Sequence, residues 1–286
     1  MKLRIKRGVL PTVFLTAGFL LVAAVVLLPI LFTFFASFMS PDELALYYGR
    51  MGLENGFTPI HLLPDQISLE GYREVLIETP QYLTQFWTSV FICLSICAGQ
   101  VVLSIFGGYA FSRFRFPGRD AIFFCVIVLM VLPHQVTLAP SYMVIKALGL
   151  LNTSAALILP GIFSAFGLFF MRQVMASIPE STLEAASLDG ANSFAALWRV
   201  LVPCCSSGIT ALALLSFVDA WSMIEQPIML IQDTFRQPLS VFLLRVGQEN
   251  MAVGFTCGVL FIVPVLFLLL LFEEQLVEGI VRSEIK

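Results

Sequence analysis

Asp219, Trp221 and Glu225 fall close together at one end of an apolar run, and His134 and Gln135 interrupt another. Ionisable and amide side chains are expensive in hydrocarbon, so residues of this kind tend to face a cavity, where they can hydrogen-bond a solute. A plainer reading fits the same residues: Trp221 in an interfacial aromatic belt, Asp219 and Glu225 at the water boundary, and His134 satisfying carbonyls freed by Pro133. Covalent or metal chemistry is not indicated. It would need a nucleophile beside a base, or a ligand cluster, and the chain has 2 histidines, His61 and His134, far apart in sequence. The topology derived below puts His61 outside the membrane and His134 within it. All 6 cysteines (Cys93, Cys97, Cys125, Cys204, Cys205, Cys257) lie in apolar segments, without zinc spacing or a disulfide framework, and read as small hydrophobes. No GxxxxGK[ST] phosphate loop occurs.

The surrounding composition is that of a membrane protein. Hydrophobic residues make up 58% of the chain and charged residues 12%, against roughly 25% charged in soluble proteins. The net charge of -3 says little, and no basic patch is large enough for nucleic acid.

Six apolar spans are expected, at about 9–39, 84–111, 121–145, 155–175, 201–221 and 251–272, giving an all-α integral membrane fold in a single domain. The first follows Lys2, Arg4, Lys6 and Arg7, and it is too long for the signal-peptide core of about 7–15 residues. It is read as an uncleaved span that Pro29 is placed to kink. Residues 40–83 form the longest polar interval, with acidic residues Asp42, Glu43, Glu54, Asp65, Glu70, Glu74 and Glu78 and four prolines, which suits an external loop with a short helix at Ser68–Glu78. In the second span, Gly107, Gly108 and Ala110 are small enough for a close neighbour. The third is broken by Leu132-Pro133-His134-Gln135 and by Pro140. Prolines at membrane depth free carbonyls that neighbours or a wet cavity must satisfy, so this span should face the bundle interior. Residues 222–250 form a second external loop with a short helix at Leu239–Val246.

Basic residues orient these spans. Segments assigned to the cytoplasm carry Lys2, Arg4, Lys6, Arg7, Arg113, Arg115, Arg119, Arg172, Arg199, Arg282 and Lys286, whereas the external ones carry only Arg50, Arg73, Lys146, Arg236 and Arg245. The bias puts both termini, and the loop at 177–200, in the cytoplasm.

That loop is strongly patterned. Ser177 followed by Glu180 reads as a capping box with Pro179 in the first turn, so a helix should start near Ile178. Leu183, Ala186 and Ser187 recur on one face, and Gly190 stands where a helix ending near Leu188 needs a left-handed residue. A second helix start follows at Asn192 or Ser193 and leads through Phe194 and Trp198 into the fifth span. Periodicity alone allows an ordinary amphipathic linker.

The residue order does more. Glu184-Ala185-Ala186, three residues, Gly190, nine residues, then Val200-Leu201-Val202-Pro203 resembles the EAA signature of ABC-importer permeases, with valines for the usual Ile and Leu. GGYAFSRFRFPGR, LPHQVTLAPSYMVIKALGLLNTSAALILP, FGLFFMRQVMASIPESTLEAASLDGA and WRVLVP likewise resemble, in order, the maltose-type carbohydrate permease called the G subunit. The stretch before the second span is similar more loosely.

The resemblance implies a type I ABC importer permease in a bacterial inner membrane, working by alternating access. Residues 177–200 would be the coupling helix docking into a cytoplasmic ATPase, with Glu184, Ala185, Ala186, Asp189, Gly190 and Pro203 as its motif residues. The implied partners are a second, F-like permease subunit, an ATPase dimer that binds ATP and Mg, and an external solute-binding protein; this chain itself would bind no cofactor and catalyse nothing. Sugars are commonly held by an aromatic face and hydrogen-bonding side chains, so Trp221 with Gln135 and Glu225 is the candidate set, joined by His134 and Asp219. Two departures bear on substrate and contact: Ser222 follows Trp221 where the family usually has Asn, and the tail EEQLVEGIVRSEIK lacks the usual glycine- and lysine-bearing ending. An importer of another solute, such as a sugar phosphate, is the alternative. A secondary transporter would need coupling-ion sites or repeats, neither of which is evident.

Overall fold

The computed structural model describes residues 9–49 and 61–284, with side chains for 15–49, 61–246 and 250–275. Lys2, Arg4, Lys6, Arg7, Arg50, Glu54, Pro59 and Lys286 lie outside the described residues, as does the side chain of Arg282. Among the described residues every regular element is helical. Helices α1 (Val9–Ala36) and α2 (Pro41–Tyr48) precede α3 (Glu70–Arg73), which widens into a π-helical turn, Glu74–Glu78, before the long α4 (Pro80–Arg113). Next come α5 (Arg119–Val131), α6 (His134–Ala147), α7 (Ala155–Gly161) and α8 (Ala165–Ala176). Then follow α9 (Glu180–Leu188), α10 (Ser193–Ala196), a π-helical turn Leu197–Leu201, α11 (Val202–Cys204), α12 (Ser206–Trp221), α13 (Glu225–Leu230), α14 (Leu239–Glu249) and α15 (Met251–Glu284).

Four helical stretches, Leu15–Ala36, Pro80–Arg113, Ala155–Ala176 and Met251–Gln275, are long and apolar enough to cross a membrane. Two bent pairs, α5 with α6 at 104° and Ser193–Cys204 with α12 at 78°, bring the number to 6 if each is one span. The expected third and fifth spans are therefore not straight rods, and prolines explain both bends. Leu132 is extended (ψ 131°) because a residue before proline is pushed out of the helical region, and Pro133 continues the extended stretch (ψ 133°) before α6 begins. Pro203 has no amide to give the Arg199 carbonyl; the turn widens so that the Val202 amide reaches the Leu197 carbonyl instead, and the chain bends at Cys205. By contrast α1 runs unbroken through Pro29. The second span starts at Pro80 rather than 84, since proline suits a first helical turn. In the two polar intervals the expected helices at Ser68–Glu78 and Leu239–Val246 are present, and α2 and α13 come in addition.

The chain divides into two compact units. The first comprises the described residues of Met1–Pro80 with Leu243–Phe261. Its core joins Ala36, Met39, Leu44, Tyr48 and Ala252, with the Phe32 and Phe255 rings edge-on at 5.4 Å. The Tyr48 hydroxyl donates to the His61 carbonyl (2.6 Å) and accepts from its amide (3.0 Å). The His61 ring stacks on Tyr47 at 4.2 Å, and its Nε2 lies 3.2 Å from Asp65 Oδ1. Tyr47 donates to Asp65 Oδ2, and the Asp65 amide donates to Glu43. This hydrogen bond to Asp65 is the main reason the Tyr47 phenol is held above its usual pKa.

The second unit comprises Gln81–Phe242 and the described residues of Ile262–Lys286. Ile105 of α4, Phe170, Met171, Val174 and Met175 of α8, and Leu197, Leu201, Ala211 and Leu212 further on make its core. The small residues of α4 do what their size suggests: a Cβ on Gly108 would stand 2.8 Å from the Met171 backbone, and one on Gly107 2.9 Å from Leu168. Higher on α4, Gln100 donates to the Gly161 carbonyl beside Pro160 at 2.7 Å, satisfying a polar group inside a span. None of the six cysteines forms a disulfide; Cys93, Cys205 and Cys257 are buried, Cys97 is partly buried, and Cys125 and Cys204 are exposed.

Candidate functional site: a docking loop and a polar cluster

Between α8 and α12 the chain leaves its core and returns to it. Ser177 does not cap the next helix: its hydroxyl donates to the Val174 carbonyl and finishes α8 instead. The expected capping box is therefore not formed, because Pro179 (ψ 140°) inserts an extended residue and α9 starts at Glu180 without a side-chain cap. The stop signal is as read. Asp189 ends α9, Gly190 takes φ +84°, and the Ala191 amide reaches the Ala186 carbonyl, a Schellman-type closure. Asn192 then caps α10 by accepting from the Ala195 amide at 2.8 Å.

No residue of α9 is fully buried. Leu183 and Ile178 rest against the core cluster and seat the helix. Glu180, Glu184, Ala185 and Asp189 face out, and the three carboxylates make no ion pair among the described residues. Leu188 is 89% and Phe194 63% exposed, at the two ends of the turn made by Gly190. From the sequence both mark only the boundaries of the turn; their signal is apolar side chains interrupting a polar stretch. Pro203 is exposed and belongs to the bend below the loop rather than to its surface.

The polar residues of the third and fifth spans meet elsewhere in the same unit. Gln135 Nε2 donates to Glu225 Oε1 at 3.3 Å, and His134 Nε2 lies 2.9 Å from Gln226 Nε2, joining the first turns of α6 and α13. Both contacts exist because the break at Leu132-Pro133 turns α6 sharply and starts it with two polar residues. Gln226 was not singled out from the sequence, where α13 was unsuspected within a polar loop. His134, Gln135 and Glu225 are exposed, so their polar atoms are open to a solute; Asp219 is exposed as well, and no hydrogen bond joins it to this cluster among the described residues. Trp221 stands apart. It is 1% exposed, stacked on Phe217 at 5.5 Å and edge-on to Phe86 at 5.8 Å, so in this conformation its ring faces protein rather than a cavity or a lipid belt. One group elsewhere has metal-ligand reach among the described residues, Glu43, His61 and Asp65 within 4.8 Å, and its members already bond one another.

Residues 100–281 match the family described as binding-protein-dependent transport system inner membrane component. The chain is 27% identical, over 95% of both proteins, to the arabinooligosaccharides transport system permease protein AraQ of Halalkalibacterium halodurans. It is 28% identical, over 91% of itself and 92% of the relative, to the sn-glycerol-3-phosphate transport system permease protein UgpE of Brucella abortus. A chain in the crystal structure of a bacterial ABC transporter involved in the import of the acidic polysaccharide alginate superimposes with a TM-score of 0.78 at 22% identity, covering 96% of this chain and 99% of that one. At that identity the likeness speaks for the fold.

Proposed function

Because this chain belongs to the family of binding-protein-dependent transport system inner membrane components, we propose that it is the membrane-spanning permease subunit of an ATP-driven sugar or oligosaccharide importer. The observation that carries the reading is the surface of α9 and its turn. Glu180, Glu184 and Asp189 are carboxylates without an ion pair among the described residues, beside exposed Leu188 and Phe194, mounted on a helix whose other side is anchored by Leu183. An apolar side chain that projects from a charged turn is costly in water and gains by entering a partner's groove.

In this reading Glu184, Ala185, Ala186, Asp189 and Gly190 dock into a cytoplasmic ATPase dimer, which holds ATP and Mg; Pro203 sets the bend that joins the docking loop to α12. A second permease subunit completes the pathway, and a solute-binding protein delivers substrate from outside. Both termini lie in the cytoplasm, and residues 40–83 and 222–250 lie outside. ATP-driven closure of the ATPase pair moves the docking loops and switches access.

His134, Gln135, Glu225, Gln226 and Asp219 are the solute-facing candidates. Their character favours hydroxyl-rich, uncharged solutes. The group offers amides, an imidazole and carboxylates, with no lysine or arginine among these residues to meet a phosphate dianion. That is why a sugar is preferred over a polyol phosphate, although the relatives include permeases of both kinds.

Purification of the chain from its native membrane, with mass spectrometry of what accompanies it, tests the proposal. A second permease, an ATPase and a solute-binding protein are expected. A chain that emerges alone and moves solute without ATP would overturn it.

A further inference from the structure

Helix α4 touches the docking loop at both of its ends. Arg113 Nη2 donates to the Met175 carbonyl and to the Ile178 carbonyl, both at 2.6 Å, where the last turn of α8 gives way to α9. One helical turn back on the same face, the Tyr109 hydroxyl donates to the Ser193 carbonyl at 3.1 Å, where the chain re-enters a helix after Gly190. The docking helix Glu180–Leu188 and the turn at Gly190 lie between these points, and Phe194 directly follows the second. The Arg113 bonds reinforce this helix end, where the Met175 carbonyl otherwise accepts a long bond from the Ile178 amide at 3.3 Å. The Arg113 Nε is buried with no hydrogen-bond partner among the described residues; a guanidinium that tolerates this is held in place by what its Nη2 does.

The opposite end of α4 repeats the arrangement. Gln85 donates to the Thr234 carbonyl at 2.5 Å, and Ser89, one turn on, accepts from the Leu239 amide at 2.7 Å. The segment so held follows α13, which carries Glu225 and Gln226. Between the two ends α4 is an unbroken helix of 34 residues, roughly 50 Å long at 1.5 Å per residue. Gly107 and Gly108 set it against α8 with no side chain between the backbones at Gly108.

We propose that α4 is the strut of the transporter, and that Tyr109 and Arg113 are positioning residues which make the docking loop move as one body with it. The inference rests on the reading of α9 as the ATPase-docking helix. Without the bracket, displacement of α9 would reach the spans through its chain connections to α8 and α10, where Pro179 and Gly190 allow it to swivel, and through the apolar packing of Ile178 and Leu183 on the core, which fixes no direction. With it, a push on α9 is delivered to a stiff helix whose far end grips the segment next to the solute-facing residues.

The test uses the full complex in proteoliposomes with Tyr109→Phe and Arg113→Lys, separately and together. Tyr109→Phe removes only a hydroxyl, so it keeps the packing if Arg113→Lys proves too disruptive. The expected result has three parts: the ATPase stays attached, amide exchange of residues 178–193 rises by about tenfold, the worth of one charge-assisted hydrogen bond in an opening equilibrium, and ATP spent per solute imported rises several-fold. Unchanged exchange would overturn the bracket, and faster exchange with unchanged ATP per solute would overturn its role in coupling. Failure of the underlying reading looks different: the wild-type chain would carry no ATPase, and the strut's coupling role would fall with it.

Discussion

Gln135 and Glu225 stand 90 positions apart in the chain, yet the amide of one donates to the carboxylate of the other across 3.3 Å. Each sits in the first turn of a helix whose start is dictated by its neighbours: Pro133 delays α6 until His134, and the bend after Trp221 delays α13 until Glu225. The two first turns thus present a carboxylate, two amides and an imidazole on one exposed face, a hydrogen-bonding surface for hydroxyls.

If that surface holds solute, Gln135→Ala and Glu225→Gln should each raise the KM for uptake several-fold while leaving ATPase attachment intact. Because the side chains contact one another, the double variant should fall short of the product of the two effects, as coupled neighbours do. Uptake kinetics on the four proteins of the cycle decide it. Fully multiplicative effects, or none, would return these residues to a boundary role.

Trp221→Ala is expected to behave as a core deletion. The indole is buried against Phe217 and Phe86, and removing such a ring costs about 3–5 kcal/mol. The variant should therefore lose thermal stability and yield in detergent, and Trp221→Phe should recover most of the loss. A stable Trp221→Ala protein with altered uptake alone would show that the ring turns to the pathway in another conformation.

The difference between what the sequence revealed and what it hid follows from the range of the forces. Gly190 and Asn192 were legible because a left-handed stop and a side-chain cap are decided within a few residues, and both are present. The apolar runs were legible because burial in lipid depends on composition alone. Ser177 was misread because two helices compete for its hydroxyl, and the capping pattern records only one of them. The 104° and 78° bends follow from prolines that were visible, but their angles depend on packing around them. Trp221 lies in a polar-looking stretch; its stacking on Phe217 is local, but the cover from Phe86, far away on α4, leaves no local mark. Long-range pairings such as Gln135 with Glu225 leave no local mark beyond the cost of polar groups in an apolar span.

Outside the spans, Tyr47 supplies a pH prediction. Its phenol is held above the ordinary value of 10.0, first by its hydrogen bond to Asp65. A raised pKa means that the folded state prefers the protonated phenol, so its contribution is complete below the ordinary pKa and is lost as pH climbs through the raised one. Thermal stability should therefore fall in alkali above about pH 10 more steeply for the wild type than for Tyr47→Phe. Identical slopes would show that the bond to Asp65 is not maintained in solution.

Gly190 separates backbone conformation from space. Its φ of +84° is one that residues with a Cβ rarely adopt, yet nothing lies within 4 Å of where a Cβ would stand. Gly190→Asn should be tolerated, since asparagine visits this region, whereas Gly190→Val should unseat the turn and cost at least about 1–2 kcal/mol locally. Attachment of the ATPase, measured by co-purification, should follow that order. Equal attachment in both variants would mean that the angle of α9 does not matter for docking.

Leu188 offers the sharpest separation of docking from folding. At 89% exposure it contributes almost nothing to the core, and substitutions at such positions usually change stability by no more than about 0.5 kcal/mol. Leu188→Ser should therefore melt with the wild type. If the side chain enters a groove on the ATPase, however, its loss removes an anchor, and truncating an interface hot spot costs about 2 kcal/mol or more, roughly a thirtyfold weaker attachment. Leu183→Ser is the counterpart, because Leu183 rests on the core and seats α9 from below; it should lower stability and attachment together. Titration of purified ATPase against the two variants in nanodiscs, beside their melting curves, tests the pair. Normal attachment of Leu188→Ser would place the docking surface elsewhere on the loop, and a lowered melting point for that variant would mean that Leu188 is covered within this chain.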